Sequence, residues 1–386
     1  MKKSEYLIVG AGPVGLILSL LLAKQNKASH LLEARKKNDA HSDKRALALS
    51  YGTRLILENL GIWRLLEKKI TSIQSIHTSQ KNSFGRTLLS SDEYNLPALG
   101  YVLSYGDLSK ALEDEISKSS LIKVSYEFKV SAIKNKKDKS ILYSLTKNLP
   151  LEAPLLILAD GGKNTTDLIE NLKRKETSYN HTALVTKVIS EIPPNNVAYE
   201  RFTSMGPIAL LPNGPEEFSL VWTGKDKDIQ ALAKNKKNIF LEKLHEHFGD
   251  RVGRFLDCKE FITFPLKKIV LEDCPKSNIV VIGNSAQTMH PVAGQGFNTG
   301  IRDAYALSKL MNETELAHIG SEPFVNQYYA SRKLETKKTL FFTDSLVSIF
   351  SNDLVGLSIT RGFSLSLLDN FKPIKKFLVN KMSFGR

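Results

Sequence analysis

Cysteine is nearly absent: Cys258 and Cys274 are the only two in 386 residues. That excludes a disulfide-stapled secreted scaffold, and two thiols cannot by themselves complete a zinc site. They also lack C-x-x-C spacing, so no redox pair is indicated. Acids are scarce beside bases, 40 against 54, which leaves a formal net charge of +14. Such an excess is compatible with nucleic acid, a membrane surface or an acidic ligand and does not choose among them. Aromatics do not interleave the basic clusters at 134–139, 173–175 and 234–237, so no nucleic-acid partner is expected. Long uncharged runs are missing apart from residues 7–23 (LIVGAGPVGLILSLLLA), at the lower limit for a membrane span. Glu5 before that run, Gly10, Gly12, Pro13 and Gly15 within it, and no small-x-small cleavage site at its end argue against an export signal. The expected location is therefore cytoplasmic. Hydrophobic residues at 42% and charged residues at 24% are ordinary for a globular chain.

The uncharged run has a better explanation. Residues 4–9 (SEYLIV) read as a short buried strand and 14–25 as an apolar helix. Between them, Gly10-Ala11-Gly12-Pro13-Val14-Gly15 carries G-x-G-x-x-G spacing. Gly10 allows the tight turn, Gly12 lets a pyrophosphate approach the backbone, and Gly15 lets the helix lie against the sheet. The helix start then offers free N–H groups to phosphate. A second strand at 29–32 ends in Glu33, 18 residues after Gly15, where a ribose-binding acid belongs. Strand, glycines, helix, strand and acid predict a dinucleotide site for FAD or NAD rather than NADP.

A second strand–loop–helix unit follows far along the chain. Residues 277–282 (SNIVVI) run into a glycine-bearing loop over 283–300 and then a helical pattern from Ile301. One extended ligand touching both helix starts would account for both units, and FAD fits that better than NAD. A second G-x-G-x-x-G is absent, so no standing nicotinamide domain is expected. The G-x-S-x-G elbow of serine hydrolases and the W-x-W-x-I-P of flavin halogenases are absent too. His245-x-His247 lacks a third ligand, and no metal is expected.

Three further segments stand out: Asp43-x-Arg45-x-x-Ala48-Leu49-Ser50, Leu57-x-x-Leu60-Gly61-x-Trp63 and Glu200-Arg201-Phe202. Gly206-Pro207-x-Ala209-Leu210-Leu211-Pro212, Ser219-Leu220-Val221-Trp222 and the loop over 283–303 join them. On these segments the chain resembles the class A FAD-dependent aromatic hydroxylases, within the ubiquinone-biosynthesis hydroxylase family. Most members have Asp at Asn284 and His at Gln287. The G-N-x-A-Q-T form is similar to the 2-octaprenyl-6-methoxyphenol hydroxylase branch.

The resemblance implies an α/β fold, with a Rossmann-like FAD-binding domain interleaved with a mixed β-sheet substrate domain (para-hydroxybenzoate-hydroxylase-like), plus C-terminal helices. The discontinuous FAD-binding domain is expected over 1–70, 101–170 and 265–330, the substrate domain over 71–100 and 171–264, and the helical region over 331–386. Gly10, Gly12, Pro13, Val14, Gly15 and Glu33 would hold the ADP half of FAD, and Arg45 would reach its flavin side. Asn284 would stand near the ribityl or pyrophosphate, and Asp160 follows the apolar strand 155–159 as the family's D-G motif. Pro291, Gly294, Gly296, Phe297 and Asn298 would line the isoalloxazine. Phe202, Leu210 and Trp222 are candidates for the substrate pocket. Beyond Asp160 the family has Ser and then Arg, where this chain has Asn164 and Asp167.

The implied activity is monooxygenation of a polyprenylated phenol in ubiquinone biosynthesis through a flavin C4a-hydroperoxide. It uses O2 and NAD(P)H or another donor and requires no catalytic side chain beyond the flavin. Two rivals stay open: a flavin hydroxylase or epoxidase for another apolar substrate, and a non-catalytic flavoprotein scaffold of a biosynthetic complex. The tail over 371–386 (FKPIKKFLVNKMSFGR) has five basic residues, no acid and seven large apolar residues. It is a candidate for peripheral contact with the inner membrane or for docking in a ubiquinone-biosynthesis complex.

Overall fold

The structure, a computed structural model, describes residues 2–3, 6–82, 85–147, 149–162, 165–291, 294–350 and 370–385. Asn164, one of the two departures noted above, lies outside the described residues, as do Val292 and Ala293 in the second loop.

Apolar runs with no polar alternation are suited to strands covered on both faces. Tyr6–Val9 and Leu155–Leu158 are such runs, and every residue in them is buried. They sit side by side in a five-stranded parallel sheet, ordered Ile279–Val281, Leu155–Leu158, Tyr6–Val9, Ser29–Leu32, Ile122–Ser125. On one face the helices Pro13–Ala23 and Gln295–Glu313 bury Leu16, Ile17, Leu20, Ile301 and Leu307 against Tyr6, Ile8 and Ile157. On the other face Leu7, Val9, Leu156 and Leu158 meet Ile133, Leu142 and Leu151 from a small sheet of four strands. The long uncharged N-terminal run is thus the central strand and its helix.

The second large element is a nine-stranded mixed sheet. Most of its ladders are antiparallel, but Val197–Thr203 runs parallel to Ser75–Gln80. The Ile262–Leu271 strand belongs to this sheet and runs across the domain boundary expected at 264/265, and Gln287–Thr288 adds to its edge. Helices Asp226–Ala233 and Lys237–Phe248 cover one face, where Leu210, Leu220, Trp222, Phe240 and Phe248 form a separate core. The other face is turned toward the ends of the parallel strands. A three-stranded antiparallel sheet, Ala46–Ser50, Gly100–Ser104 and Thr71–Ile73, closes one side of the space between.

Two C-terminal helices lie on this frame. Glu322–Phe350 brings Arg332 against Asp303 of the Gln295–Glu313 helix. Lys372–Phe384 docks beside the Tyr51–Asn59 helix, with Phe384 edge-on to Tyr51 and Val379 packed with Leu89 and Leu99.

Asp303 is almost fully buried, and its carboxylate accepts from Arg332 Nε (2.8 Å), the Gly283 amide (3.0 Å) and Gln287 Nε2 (2.7 Å). Burial raises its pKa more than Arg332 lowers it. Removing Asp303 leaves Arg332 with Glu335 alone and takes the acceptor from the Gly283 amide and the Gln287 side chain, and breaking such a buried network costs roughly 3–5 kcal/mol. Asp303→Ala is therefore expected to lower unfolding stability by about that amount in urea titrations, while a loss under about 1 kcal/mol would mean that Glu335 alone compensates Arg332.

Candidate functional site

Between the carboxyl ends of the parallel strands and the free face of the nine-stranded sheet lies a cavity of about 780 Å³. This is where open parallel sheets place ligands, because adjacent loops diverge there.

The glycine turn forms one end. Gly10 has φ +104°, and a Cβ there would stand 2.5 Å from the Ala159 carbonyl oxygen. A Cβ on Gly15 would stand 2.1 Å from the Gly10 oxygen, so the helix closes directly on the turn. Gly12 differs, since a Cβ there meets only the Tyr105 hydroxyl at 3.5 Å and otherwise points into the cavity. Gly12 caps the Pro13–Ala23 helix without a side-chain hydrogen bond. The first intrahelical bond runs from Leu16 N to the Gly12 oxygen, so Val14 and Gly15 stand in the turn whose N–H groups have no helical acceptor.

Glu33 lies beside this turn, buried, and accepts from the Ala11 amide at 2.8 Å. Its carboxylate also accepts from the Arg35 amide and Nε, both at 2.9 Å. Burial pushes its pKa up, but the Arg35 hydrogen bonds and charge outweigh this, so it is held ionised below the usual range. Arg35 had no motif to mark it in the sequence. Arg45 lines the cavity near the same end. It pairs with Asp43 (Nε–Oδ1 3.0 Å) and lies 5.4 Å over the Tyr105 ring, the side chain that also faces Gly12. The Asp43 carboxylate holds the guanidinium, and the Tyr105 ring supports its face.

The second loop forms the other end. Asp160 Oδ1 accepts from Ser285 Oγ at 2.6 Å and from the Gly162 amide at 3.2 Å, and Thr165 donates to Oδ2. Asp160 thereby ties the loop after Leu155–Leu158 to the loop after Ile279–Val281. Asn284 and Pro291 line the cavity beside it. Gly294 takes φ +59° and caps the Gln295–Glu313 helix, again without a side-chain cap, and Gly296 and Phe297 line the cavity at its first turn. Asn298 borders the cavity, but its amide is fully committed elsewhere. It accepts from the Ser50 amide and Thr53 Oγ1, both at 2.8 Å, and donates to the Ala48 (2.9 Å) and Gly294 (2.8 Å) oxygens. The side chain is a clamp on the loop. His290 next to Pro291 is buried, and burial, then His181, pushes it down to about 4, so it is neutral.

The substrate-pocket candidates need correcting. Leu210 and Trp222 lie in the core on the helix-covered face of the nine-stranded sheet. The cavity face carries the alternate residues Ala209, Leu211, Ser219 and Val221. A one-residue change of parity moves a side chain through the sheet. Phe202 shares the face of Glu200 by register but is covered and does not reach the cavity wall.

The donor set fits a dinucleotide that spans the cavity. Two helix starts without side-chain caps, one open glycine, and an ionised carboxylate at the ribose position supply what a pyrophosphate and its flanking riboses require. Fold and site together define a class: a flavoprotein with the architecture of FAD-dependent monooxygenases. The chain belongs to the FAD binding domain family, which it matches over residues 3–343. Among relatives, it is 25% identical to ubiquinone hydroxylase UbiL of Rhodospirillum rubrum, covering 98% of this chain and 89% of that one. It is 25% identical to 3-demethoxyubiquinol 3-hydroxylase of Escherichia coli, covering 97% and 96%. The crystal structure of p-nitrophenol 4-monooxygenase PnpA from Pseudomonas putida shares the fold, with a TM-score of 0.80 at 14% identity, covering 99% and 98%.

The contrast between two glycines is testable. Gly12→Ala is expected to fold with an unchanged melting temperature and to bind FAD at least about tenfold more weakly, because its methyl group occupies the pyrophosphate approach. Gly15→Ala, driven into the Gly10 carbonyl, is expected to give little folded protein. Equal flavin content in Gly12→Ala and wild type would remove Gly12 from the site.

Proposed function

We propose that the protein hydroxylates a phenol bearing a polyprenyl chain, as a step in ubiquinone biosynthesis. The observation that carries this is the continuity of the cavity. Its flavin-loop wall of Pro291, Gly296 and Phe297 passes into a chamber walled by Val185, Ala209, Leu211, Val221 and Phe264. An apolar chamber opening on the cofactor suits a ring with a hydrocarbon substituent. The names of the relatives support the pathway.

In this reading Gly10, Gly12, Pro13, Val14, Gly15 and Glu33 hold the ADP half of FAD, with Arg35 fixing Glu33. Arg45 offsets pyrophosphate charge from its place over Tyr105. Pro291, Gly294, Gly296 and Phe297 border the flavin, while Asn284 and Asp160 shape the bend between the halves. FAD supplies redox and oxygen-transfer chemistry, and the chain binds, orients and excludes water. Asp167, standing where the family has Arg, is paired with Arg174 Nη2 at 3.1 Å. A nicotinamide donor would therefore approach a site without the family's cation at that position.

Purified protein reconstituted with FAD is expected to show visible flavin absorbance and to convert a 2-polyprenylphenol, with NAD(P)H and labelled O2, to a product carrying one labelled oxygen. Donor oxidation without labelled product would overturn the proposal.

Access for such a substrate points to the C-terminal helix. Phe371, Ile374 and Phe377 are 51%, 44% and 62% exposed, and Lys372 and Lys376 are exposed beside them. Met382 on the same helix lines the cavity. A basic, apolar-faced segment lies on anionic bilayers. No described helix is long and apolar enough to cross a membrane. Flotation with vesicles containing phosphatidylglycerol is expected to carry the wild type and to leave Phe371→Ser/Phe377→Ser behind, whereas equal flotation would exclude this face.

A further inference from the structure

Among the described residues of the cavity wall there are three carboxylates: Glu33, Asp160 and Glu200. Glu33 and Asp160 have the partners given above. The Glu200 carboxyl accepts no hydrogen bond from any described residue. It stands on one rung that crosses the nine-stranded sheet, Thr78–Glu200–Ala209–Val221–Val185. Glu200, Ala209, Val221 and Val185 of this rung are part-exposed and line the cavity, while Leu184, Leu210 and Trp222, on the opposite parity, are buried beneath helices. The small side chain of Ala209 leaves room over the carboxyl.

Among the described residues, no neighbouring element supplies a counter-charge. The Gly206–Asn213 strand has no titratable side chain. On Ser75–Gln80 the only one is His77, at the rung of Tyr199 and so on the opposite face, and Arg201 of the same strand as Glu200 also turns away, to Ser79 and the His247 oxygen. Arg86 pairs with Ser79 and shares that opposite parity. From the three-stranded sheet, Ile73 and Ala46 close the cavity with apolar surface, and Tyr101 faces Arg54 and Trp63. Burial, acting without any charged neighbour, pushes the Glu200 carboxyl up to about 7. A carboxyl so tuned exchanges protons near neutral pH, as a general base requires.

We infer that Glu200 is the proton acceptor for the ring hydroxyl of the phenolic substrate, a role that rests on the function proposed above. In the step, the phenol O–H bond breaks, a carboxyl O–H bond forms on Glu200, and the electron pair remains on the ring oxygen. The ring is thereby made electron-rich for oxygen transfer at carbon. The carbon under attack releases its hydrogen as a proton when aromaticity returns, and the proton on Glu200 restores the product hydroxyl.

The test uses the FAD-loaded full chain, with Glu200→Gln and Glu200→Asp beside wild type. Matched flavin content and melting curves establish that the variants fold. With the polyprenylphenol, Glu200→Gln is expected to lower kcat by about 10²–10⁴-fold, with a smaller change in KM, and to erase the ionisation near neutral pH from the kcat profile. Glu200→Asp is expected to restore part of both. With a 2-alkyl-4-nitrophenol as probe, whose anion absorbs in the visible, wild type is expected to show bound phenolate at a pH where Glu200→Gln holds the neutral phenol. Identical pH profiles and identical probe spectra in wild type and Glu200→Gln would overturn the assignment while leaving the hydroxylase reading intact. A wild type that hydroxylates no phenol would overturn that reading, and this assignment with it.

Discussion

The position of the second loop depends on one buried carboxylate. Asp303 lies beneath the turn after Ile279–Val281 and gathers the Gly283 amide, the Gln287 side chain and Arg332 onto two oxygens. Its charge is compensated by Arg332, which also pairs with Glu335. Asp303 thereby ties together the Gln295–Glu313 helix, the turn at Gly283 and the long Glu322–Phe350 helix. Asp160 continues the chain of constraints through Ser285, and Asn298 continues it to the Ala46–Ser50 strand. Asp303 and Asn298 are buried and hydrogen-bonded on every side-chain heavy atom that can take part, and Asp160 is part-buried with both oxygens engaged. A cavity wall built from such groups is pre-organised, and little ordering is left for ligand binding to accomplish.

Much of the nucleotide end was legible in the chain because its constraints are local. A tight turn, a close helix and an acid at the end of the next strand are fixed by spacing within about 25 residues, and the structure places Gly10, Gly12, Gly15 and Glu33 together. The same holds for the continuous apolar strands of the parallel sheet, where burial on both faces removes any question of parity. Legibility failed where the outcome depended on partners remote in sequence. Leu210 and Trp222 come from strands with apolar residues on both faces, so alternation gave no sign of which set meets the cavity. Arg45 lines the cavity, and the partners that fix it, Asp43 beside it and Tyr105 60 positions on, include one that no local pattern shows. Asn298 lines the cavity as expected of the loop, and its four hydrogen bonds, three of them to residues about 250 positions away, add a clamping role that no local pattern shows.

Electrostatics divide the cavity into two environments. At the glycine turn, Glu33, Arg35, Asp43 and Arg45 form paired charges suited to phosphates and ribose. Across the sheet the wall is apolar and carries one carboxyl. A single ligand that is ionic at one end and aromatic at the other, followed by a greasy substrate, matches that gradient of polarity. The +14 excess is not concentrated in the cavity. Much of it lies on exposed surface, where it acts on the approach of ligands and surfaces rather than on the chemistry.

Met382 makes the last helix part of two surfaces at once, the inner wall of the cavity and the helix whose other end exposes Phe371, Ile374 and Phe377. A rigid helix of 13 residues cannot be displaced at one end without tilting at the other. Any shift of Met382 on filling the cavity would thus be carried to the end of the helix that exposes Ile374 and Phe377. If filling the cavity changes the affinity of that face for a bilayer by some factor, seating on the bilayer changes affinity in the cavity by the same factor.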